Sequence, residues 1–256
     1  MKKIALITGA SSGLGKEFVR QLDHNKEVEE FYVVARREER LLELQKYTDK
    51  PVVALPFDLT DVESILRLEK ILHEQDIDIR VLVVAAGLGK VGKTSEISLR
   101  DTNRMIDLNV RAAVDTTLIA LPFMHKGARI IEIASIAGMN PMPYFNVYSA
   151  SKAFLITFSK ALRYELKNDG IKVTCLCPYW VKDTEFIAGA TKNNKTRYAS
   201  YPLATYKKRV VRRALFDSKF NKTLSTPGVV VSLTNVLSKL VPDAIILRIM
   251  DEFSKR

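Results

Sequence analysis

Cysteine and histidine are scarce in this chain, which has two cysteines and three histidines among 256 residues. Cys175 and Cys177 lie one residue apart in a β-like run, where a bridge between them would be strained, so we expect reduced thiols that serve packing. The histidines, His24, His73 and His125, are far apart and have no cysteine nearby. Because a structural zinc site needs several such ligands together, the sequence predicts no metal site.

Long hydrophobic runs are also missing, since no apolar stretch approaches the ~18 residues that a membrane-spanning helix needs. Near the amino terminus, the apolar run 4–7 ends at Thr8 and Gly9, which is too short for a signal peptide. We therefore interpret this run as a strand and expect a cytoplasmic protein. The remaining composition, 47% hydrophobic and 27% charged with 11 Gly and 9 Pro, excludes disordered, collagen-like and disulfide-rich chains.

The net charge of +11 is unevenly distributed along the chain. Residues 1–151 hold 20 Lys+Arg and 21 Asp+Glu, whereas residues 152–256 hold 20 and 8. Within the second part, residues 181–225 carry 11 basic and 3 acidic residues. A function for this chain has to accommodate that basic segment.

Apolar β-branched runs alternate with amphipathic stretches over the first two thirds of the chain. Strands that are apolar on both faces and joined by helices are typical of a parallel sheet covered on both sides. We find no repeat and no linker, so the sequence predicts an α/β fold with a Rossmann-like doubly wound sheet in a single domain, residues 1–256. The six predicted strands are 4–7, 31–34, 52–55, 81–84, 130–133 and 173–176. The predicted helices are 14–24, 37–47, 61–74, 101–125 and 146–168.

The alternation ends after residue 178, where a polar stretch rich in tyrosine and lysine begins. We predict that residues 180–225 form a helical lid over the substrate, because long insertions in compact domains tend to be functional. A second interpretation makes the basic run 207–213 a solvated helix face with Val210 and Val211 packed inward. Residues 226–256 are predicted to form apolar helices, which either pack on the domain or touch a membrane or partner.

The first predicted strand leads directly into a glycine-rich turn that opens a helix. Glycines in such a turn allow close backbone approach to a pyrophosphate, and the helix N-terminus favours the anion. A dinucleotide site is therefore favoured over a structural turn. The expected phosphate contacts are Gly9, Ser11, Ser12, Gly13, Leu14 and Gly15.

The second predicted strand ends in Arg36 and Arg37, where NAD-binding proteins usually carry a carboxylate for the ribose hydroxyls. A guanidinium at this place suits the 2′-phosphate that distinguishes NADP from NAD. The sequence thus favours NADP, the alternative being that both arginines only begin a helix surface.

Tyr148 and Lys152 are four residues apart in an amphipathic stretch, so they share one face of a helix. An ammonium group roughly 5 Å from a phenol lowers the phenol pKa by roughly 2 units at an effective dielectric constant of ~20. The pair is therefore a candidate for acid–base chemistry near neutral pH. Alone, a Tyr-x-x-x-Lys motif is expected about once by chance in a lysine-rich chain of this size.

Together with Ser135 at the end of the fifth strand, these motifs resemble the short-chain dehydrogenase/reductase family over roughly residues 1–180. The resemblance implies that Tyr148 exchanges the proton, that Lys152 lowers its pKa and binds ribose hydroxyls, and that Ser135 holds the substrate carbonyl. It also implies that Asn109, in the long helix before the fifth strand, supports the proton path. These four residues are the predicted catalytic set.

The same resemblance implies further cofactor contacts. Asp58 would hold the adenine amino group, and a threonine near the nicotinamide amide would be Thr184. The implied contacts are Asp58, Leu59, Ala86, Gly87, Tyr148, Lys152, Pro178, Val181 and Thr184. The chain departs from the family pattern at 84–87, where Val-Ala-Ala-Gly replaces Asn-Asn-Ala-Gly, and its carboxyl-terminal part resembles a bacterial and hydroxysteroid-type subgroup with altered C-termini.

The predicted function is hydride transfer between NADP(H) and a carbonyl or secondary alcohol of a lipid-like, steroid-like or acyl substrate. The alternative is an NADP-binding regulator whose basic patch contacts nucleic acid or an acidic partner. We favour the enzyme, with no nucleic-acid partner, because a sensor has no need of the complete catalytic set. By resemblance to the family, we expect a homodimer.

Overall fold

The computed structural model of the protein describes residues 1–192, 203–237 and 240–254. Its described strands are β1 (Lys2–Thr8), β2 (Glu30–Val34), β3 (Val52–Leu55), β4 (Ile77–Val84), β5 (Arg129–Ile133), β6 (Lys172–Leu176) and β7 (Leu224–Ser225). They form one parallel sheet in the order β3-β2-β1-β4-β5-β6-β7. The predicted doubly wound α/β fold is confirmed, but the prediction of six strands missed β7.

Helices connect these strands and cover both faces of the sheet. They are α1 (Gly13–Leu22), α2 (Glu38–Leu42), α3 (Val62–His73), α4 (Leu99–Ile106), α5 (Ala112–Ala120), α6 (Asn146–Glu165), α7 (Phe186–Ala190), α8 (Lys207–Lys219), α9 (Val229–Leu237) and α10 (Asp243–Ser254). Side-chain caps fix some helix starts: Asp61 accepts from Ser64 N at 3.1 Å before α3, and Ser98 accepts from Asp101 N at 3.1 Å before α4. A π-helical stretch, Asp107–Arg111, joins α4 to α5.

The core lies in two layers, one on each face of the sheet. Helices α3, α5 and α6 pack on one face, and α1 and α8 pack together on the other. In the second layer, Val210 and Val211 of α8 are completely buried beside Phe18 of α1. Each such burial stabilises the folded state by about 1.5–3 kcal/mol.

The sheet order places the carboxyl ends of all strands at one edge. The chain reverses its direction of winding between β1, from which it proceeds to β2 and β3, and β4, from which it proceeds toward β7. A crevice opens at such a reversal outside the carboxyl ends of the strands, and open α/β sheets bind their ligands there. Within the described residues, no helix is both long and apolar enough to span a membrane.

Candidate active site

The glycine turn between β1 and α1 is packed too tightly for side chains. Gly9 and Gly13 have φ values of 66° and 54°, in the left-handed region that favours glycine. A Cβ atom on Gly15 would lie 2.4 Å from the carbonyl oxygen of Gly9, and one on Gly9 would lie 2.8 Å from the backbone of Ala85. The hydroxyl of Thr8 accepts from the backbone N–H groups of Ala85 and the next residue, at 3.0 and 3.1 Å, which fixes the turn against the end of β4.

The amino terminus of α1 is open to an anion. Its N-cap residue, Ser12, makes no side-chain capping bond, and the first helical turn contains no acidic residue. Unpaired N–H groups and the helix dipole favour negative charge at this end. The residues present therefore fit the pyrophosphate of a dinucleotide.

A cluster of arginines lies at the end of the cleft next to β2. Arg37 donates to Ser11 Oγ at 3.1 Å and pairs with Glu185 at 3.0 Å, and Arg40 also pairs with Glu185. Arg36 lies 3.8 Å from the carboxylate of Asp58. Hydrogen bonds from Arg40 and Arg37 lower the pKa of Glu185.

Sequence reasoning missed Glu185. Its two arginine partners lie 145 and 148 residues away in the chain, so no local pattern identifies it.

The predicted proton-transfer groups come together at the other end of the cleft. Tyr148 and Lys152 lie on α6 and are buried, and Ser135 follows β5, where its Oγ accepts from Ala137 N at 3.1 Å. Lys152 Nζ donates to the carbonyl of Ile133 at 2.7 Å and lies 5.7 Å from the centre of the Tyr148 ring.

The electrostatics of this group differ from the expectation that Lys152 lowers the pKa of Tyr148. Burial raises the pKa of Tyr148, and the opposing effect comes from a hydrogen bond with Ser135 rather than from Lys152. Burial also lowers the pKa of Lys152 to about 8. Desolvation outweighs charge attraction here because both groups are enclosed by the protein.

Asn109 lies behind the cleft wall rather than on its surface. It is completely buried in the π-helical stretch, where its Nδ2 donates to Leu88 O at 2.9 Å and to Ser151 Oγ at 3.0 Å, and its Oδ1 accepts from Leu88 N at 2.9 Å. A Cβ on Gly87 would lie 3.2 Å from Asn109 Oδ1 and 3.4 Å from Lys152 Nζ. Asn109 thus fixes the backbone of Leu88, a loop residue that lines the cleft.

All other predicted site residues line one cleft of about 730 Å³. They are Gly9, Ser11, Ser12, Gly13, Leu14, Gly15, Arg36, Arg37, Asp58, Leu59, Ala86, Gly87, Ser135, Tyr148, Lys152, Pro178, Val181 and Thr184. Thr184 lies beside the glycine turn, with its side chain 3.6 Å from the Cβ position of Gly13. The glycine turn, where the nucleotide is expected, and the predicted proton-transfer groups therefore line the same cleft.

Apolar and aromatic side chains form the far end of the cleft. Phe145 stacks on the Tyr148 ring with centroids 4.3 Å apart, and Phe186 lies 5.3 Å from the same ring. Trp180 and Met250 also line this end. Val230 and Thr234, like Met250, come from the carboxyl-terminal helices, which therefore contribute to the substrate wall.

Only part of the predicted lid, residues 180–225, lies at the cleft. Residues 180–190 border the cleft, whereas α8 packs on α1 and the sheet with Val210 and Val211 inward. None of the basic residues described between 181 and 225 lines the cleft. Residues 193–202 of the predicted lid lie outside the described residues.

A parallel sheet with a glycine turn of this kind, and a tyrosine–lysine pair in the same cleft, is typical of nucleotide-dependent oxidoreductases. The family model for short chain dehydrogenases matches residues 3–195. The chain belongs to this family.

Two proteins with similar sequences are reductases. The ketoacyl reductase HetN of Nostoc sp. is 35% identical over 189 residues, which span 71% of this chain and 64% of that protein. Sulfoacetaldehyde reductase 2 of Chromohalobacter salexigens is 34% identical, covering 73% of this chain and 75% of that protein.

Solved structures share the fold over most of the chain. A short-chain dehydrogenase from Sphingobium yanoikuyae in complex with NADPH superposes with a TM-score of 0.77 and 25% identity, over 94% of each chain. A variant of the actinorhodin polyketide ketoreductase with NADPH superposes with a TM-score of 0.75 and 26% identity, over 91% of this chain and 98% of that one.

Proposed function

We propose that this protein is an NADP(H)-dependent reductase of ketones or aldehydes, acting on a bulky apolar carbonyl substrate. The observation that carries the proposal is the cleft itself, which has the glycine turn and Arg37 at one end and Ser135 and Tyr148 at the other. NADPH, when bound, supplies the hydride that the carbonyl carbon accepts.

The arginine cluster supports NADP over NAD. Arg36 and Arg37 line the cleft where the second strand ends, and Arg37 donates a hydrogen bond to Ser11 in the glycine turn. Paired guanidinium donors suit a phosphate dianion, whereas the ribose hydroxyls of NAD call for a carboxylate acceptor. The related proteins from Sphingobium yanoikuyae and the actinorhodin system were both solved with NADPH.

Tyr148 is suited to donate a proton during carbonyl reduction. Burial raises the pKa of its phenol, which favours the protonated form that can donate to the carbonyl oxygen. Ser135 orients that oxygen by hydrogen bonding, and Lys152 holds a positive charge beside the tyrosine for binding ribose hydroxyls.

The apolar end of the cleft supports a lipid-like, steroid-like or acyl substrate. Phe145, Trp180, Phe186 and Met250 offer large hydrophobic surfaces near the Tyr148 ring. The names of two relatives, a ketoacyl reductase and a polyketide ketoreductase, are consistent with an acyl chain that carries a ketone.

The test compares NADPH and NADH binding by protein fluorescence in the wild type, Arg36→Ala and Arg37→Ala, followed by turnover of a carbonyl panel. We expect tighter NADPH binding that weakens up to about fivefold in each arginine variant, because Arg36 and Arg37 are 57% and 43% exposed and an exposed ion pair contributes about 0.2–1 kcal/mol. Tyr148→Phe should bind NADPH normally and lose turnover. Binding of NADPH without turnover of any carbonyl, combined with salt-dependent binding of a nucleic-acid probe, would instead favour the regulator.

We also propose contact with membrane surfaces through α10. Ile245 and Ile249 lie four residues apart on one face of this helix, and these large apolar side chains are exposed by 51% and 48%. Pelleting with anionic liposomes should therefore decrease in an Ile245→Glu/Ile249→Glu variant, while equal pelleting of variant and wild type argues against the contact.

We further propose a homodimer through the outer faces of α5 and α6. Leu118 of α5 and Phe154 of α6 are exposed by 53% and 43%. Sedimentation should give a dimer for the wild type and a monomer for Leu118→Arg/Phe154→Arg, and a monomeric wild type would refute this arrangement.

A further inference from the structure

Helix α8 presents a basic surface that the cleft does not use. Its inner side packs on the sheet and on α1, where Val210, Val211 and Ala214 are completely buried. The helical repeat of about 3.6 residues places the exposed side chains together on the opposite side, which we call the outward face of α8. The outward face includes Lys208, Arg209, Arg212, Phe216, Lys219 and, directly after the helix, Phe220.

The positive charge of the outward face is not neutralised within the described part of the chain. Four of its cations form no ion pair with a described acidic residue; they are Lys208, Arg209, Arg212 and Lys219. The acidic residue of the helix, Asp217, is only 1% exposed and pairs with Arg213 at 2.8 Å and with Lys222 at 3.0 Å. The outward face is therefore available to an anionic partner.

Two exposed aromatic rings lie among these cations. Phe216 and Phe220 are four residues apart, so they share one side of the helix, and they are exposed by 52% and 61%. Their ring centroids are 4.6 Å apart, and the ring planes meet at 44°. Apolar side chains that are exposed together within a polar rim are typical of contact surfaces. The outward face thus combines positive charge with an apolar patch.

We propose that the outward face of α8 binds an anionic membrane surface, with its cations against the lipid phosphates and the rings of Phe216 and Phe220 at the lipid interface. A cluster of about four to eight basic residues on an amphipathic helix is typical of binding to anionic lipids. Aromatic side chains add apolar burial to such a contact. This contact differs from the apolar one proposed for α10 because it depends on the charge of the lipid.

The shape and charge of the outward face favour a membrane over other partners. The face is the outer side of one packed helix, so it is convex, whereas proteins that bind single-stranded nucleic acid follow the strand with a basic groove. The rings of Phe216 and Phe220 contact each other, which leaves no gap for a base between them. A second copy of this chain docked by the same face would bring like charges together.

The amino-terminal end of α8 is fixed on the domain beside the cleft. Gln21 of α1 donates to the carbonyl oxygen of Lys208 at 3.0 Å. Thr205, just before the helix, forms a β-bridge with Val181, which lines the cleft. A membrane bound to the outward face would therefore lie close to the cleft in which we propose that an apolar substrate binds.

The first test measures flotation of the protein with phosphatidylcholine vesicles that contain or lack phosphatidylglycerol. We expect the wild type to bind the anionic vesicles more tightly, and high salt to remove the difference. Lys208→Glu/Arg212→Glu should weaken binding to anionic vesicles at least about twentyfold, since each cation near such a surface contributes about fivefold. Arg67→Glu/Lys70→Glu, the same change of charge on α3 across the sheet, is the matched control and should bind like the wild type.

A second variant keeps the charges and removes the rings, and it carries the test if the charge variant does not fold. Phe216→Ser/Phe220→Ser should weaken binding to anionic vesicles about tenfold, because the half-exposed rings lose their burial at the lipid interface. The remaining binding should still decrease with salt, since the cations are unchanged. Equal binding of this variant and the wild type overturns the proposal.

Three further outcomes also overturn the proposal. The first is equal binding of the wild type to anionic and neutral vesicles, and the second is unchanged binding of folded Lys208→Glu/Arg212→Glu. The third is binding of polyglutamate or of a nucleic-acid probe without binding of anionic vesicles, which assigns the outward face to that class of partner. Loss of vesicle binding in Ile245→Glu/Ile249→Glu alone places the membrane contact at α10 and contradicts a role for α8. These assays need no turnover, so their result is independent of the proposed reductase activity.

Discussion

Replacing Glu185 by glutamine should strengthen NADPH binding selectively. Glu185 pairs with both Arg37 and Arg40 at the place where a 2′-phosphate is expected. A bound phosphate dianion and the Glu185 carboxylate would compete for the same guanidinium groups. Glutamine keeps the size of the side chain and removes its charge.

The magnitude follows from the exposure of these side chains. Arg37, Arg40 and Glu185 are 43%, 42% and 55% exposed, so each ion pair contributes only about 0.2–1 kcal/mol. Release of both pairs then amounts to about 1 kcal/mol, which corresponds to about a fivefold lower Kd for NADPH. NADH, which lacks the 2′-phosphate, gains nothing from the freed arginines.

The assay is fluorescence titration of wild type and Glu185→Gln with NADPH and with NADH, at low ionic strength. Glu165→Gln serves as an exposed control for the loss of one negative charge. Competition predicts a change in the NADPH-to-NADH ratio of Kd values at nearly constant NADH affinity. Weaker binding of both nucleotides would refute the reasoning, since it would mean that Glu185 holds the cleft closed over either one.

Gly15→Ala should abolish nucleotide binding and lower the Tm, because the new methyl group would lie 2.4 Å from a backbone oxygen of the turn. Gly189→Ala is the control and should leave the Tm unchanged or raised, because its Cβ meets nothing within 4 Å. Equal Tm values for the two variants would contradict this packing. The double variant Lys208→Glu/Arg212→Glu should leave the KM of an anionic carbonyl substrate unchanged in steady-state assays, because α8 packs on the sheet and not over the cleft. An increase in this KM would support the interpretation of α8 as part of a lid. Tyr144→Phe removes a 3.1 Å hydrogen bond to α10 and should raise the KM of bulky ketones without changing NADPH affinity. A changed Kd for NADPH would contradict the separation of the cleft into a nucleotide end and an apolar substrate end.

The fold was largely predictable because strands such as β2 and β5 are buried on both faces and stand out as apolar runs. The run 52–55 has the same limits in the sequence prediction and in the structure, since a short apolar run between Pro51 and Pro56 leaves little ambiguity. Strand β7 was missed because it has two residues, Leu224 and Ser225, and depends on pairing with Cys175 and Leu176. The local sequence does not predict pairing between residues so far apart in the chain.

The candidate site was predictable where short motifs carry it. The glycine turn and the i, i+4 pair of Tyr148 and Lys152 follow from local geometry, and the structure brings both to one cleft. The pKa of Tyr148 was not predictable, because burial decides it and sequence spacing reports only the neighbouring charge. The contacts of Glu185 arise from tertiary packing, which the spacing of residues does not reveal.

The carboxyl-terminal contribution to the cleft has a consequence for the order in which the protein is made. The glycine turn, the arginine cluster and the catalytic groups all precede residue 190, whereas Val230, Thr234 and Met250 complete the substrate wall later in the chain. Synthesis proceeds from the amino terminus, and earlier segments can begin to fold while later ones are still being added. The glycine turn and the aromatic part of the apolar wall are therefore synthesised before Met250, and the cleft is complete only when α10 docks.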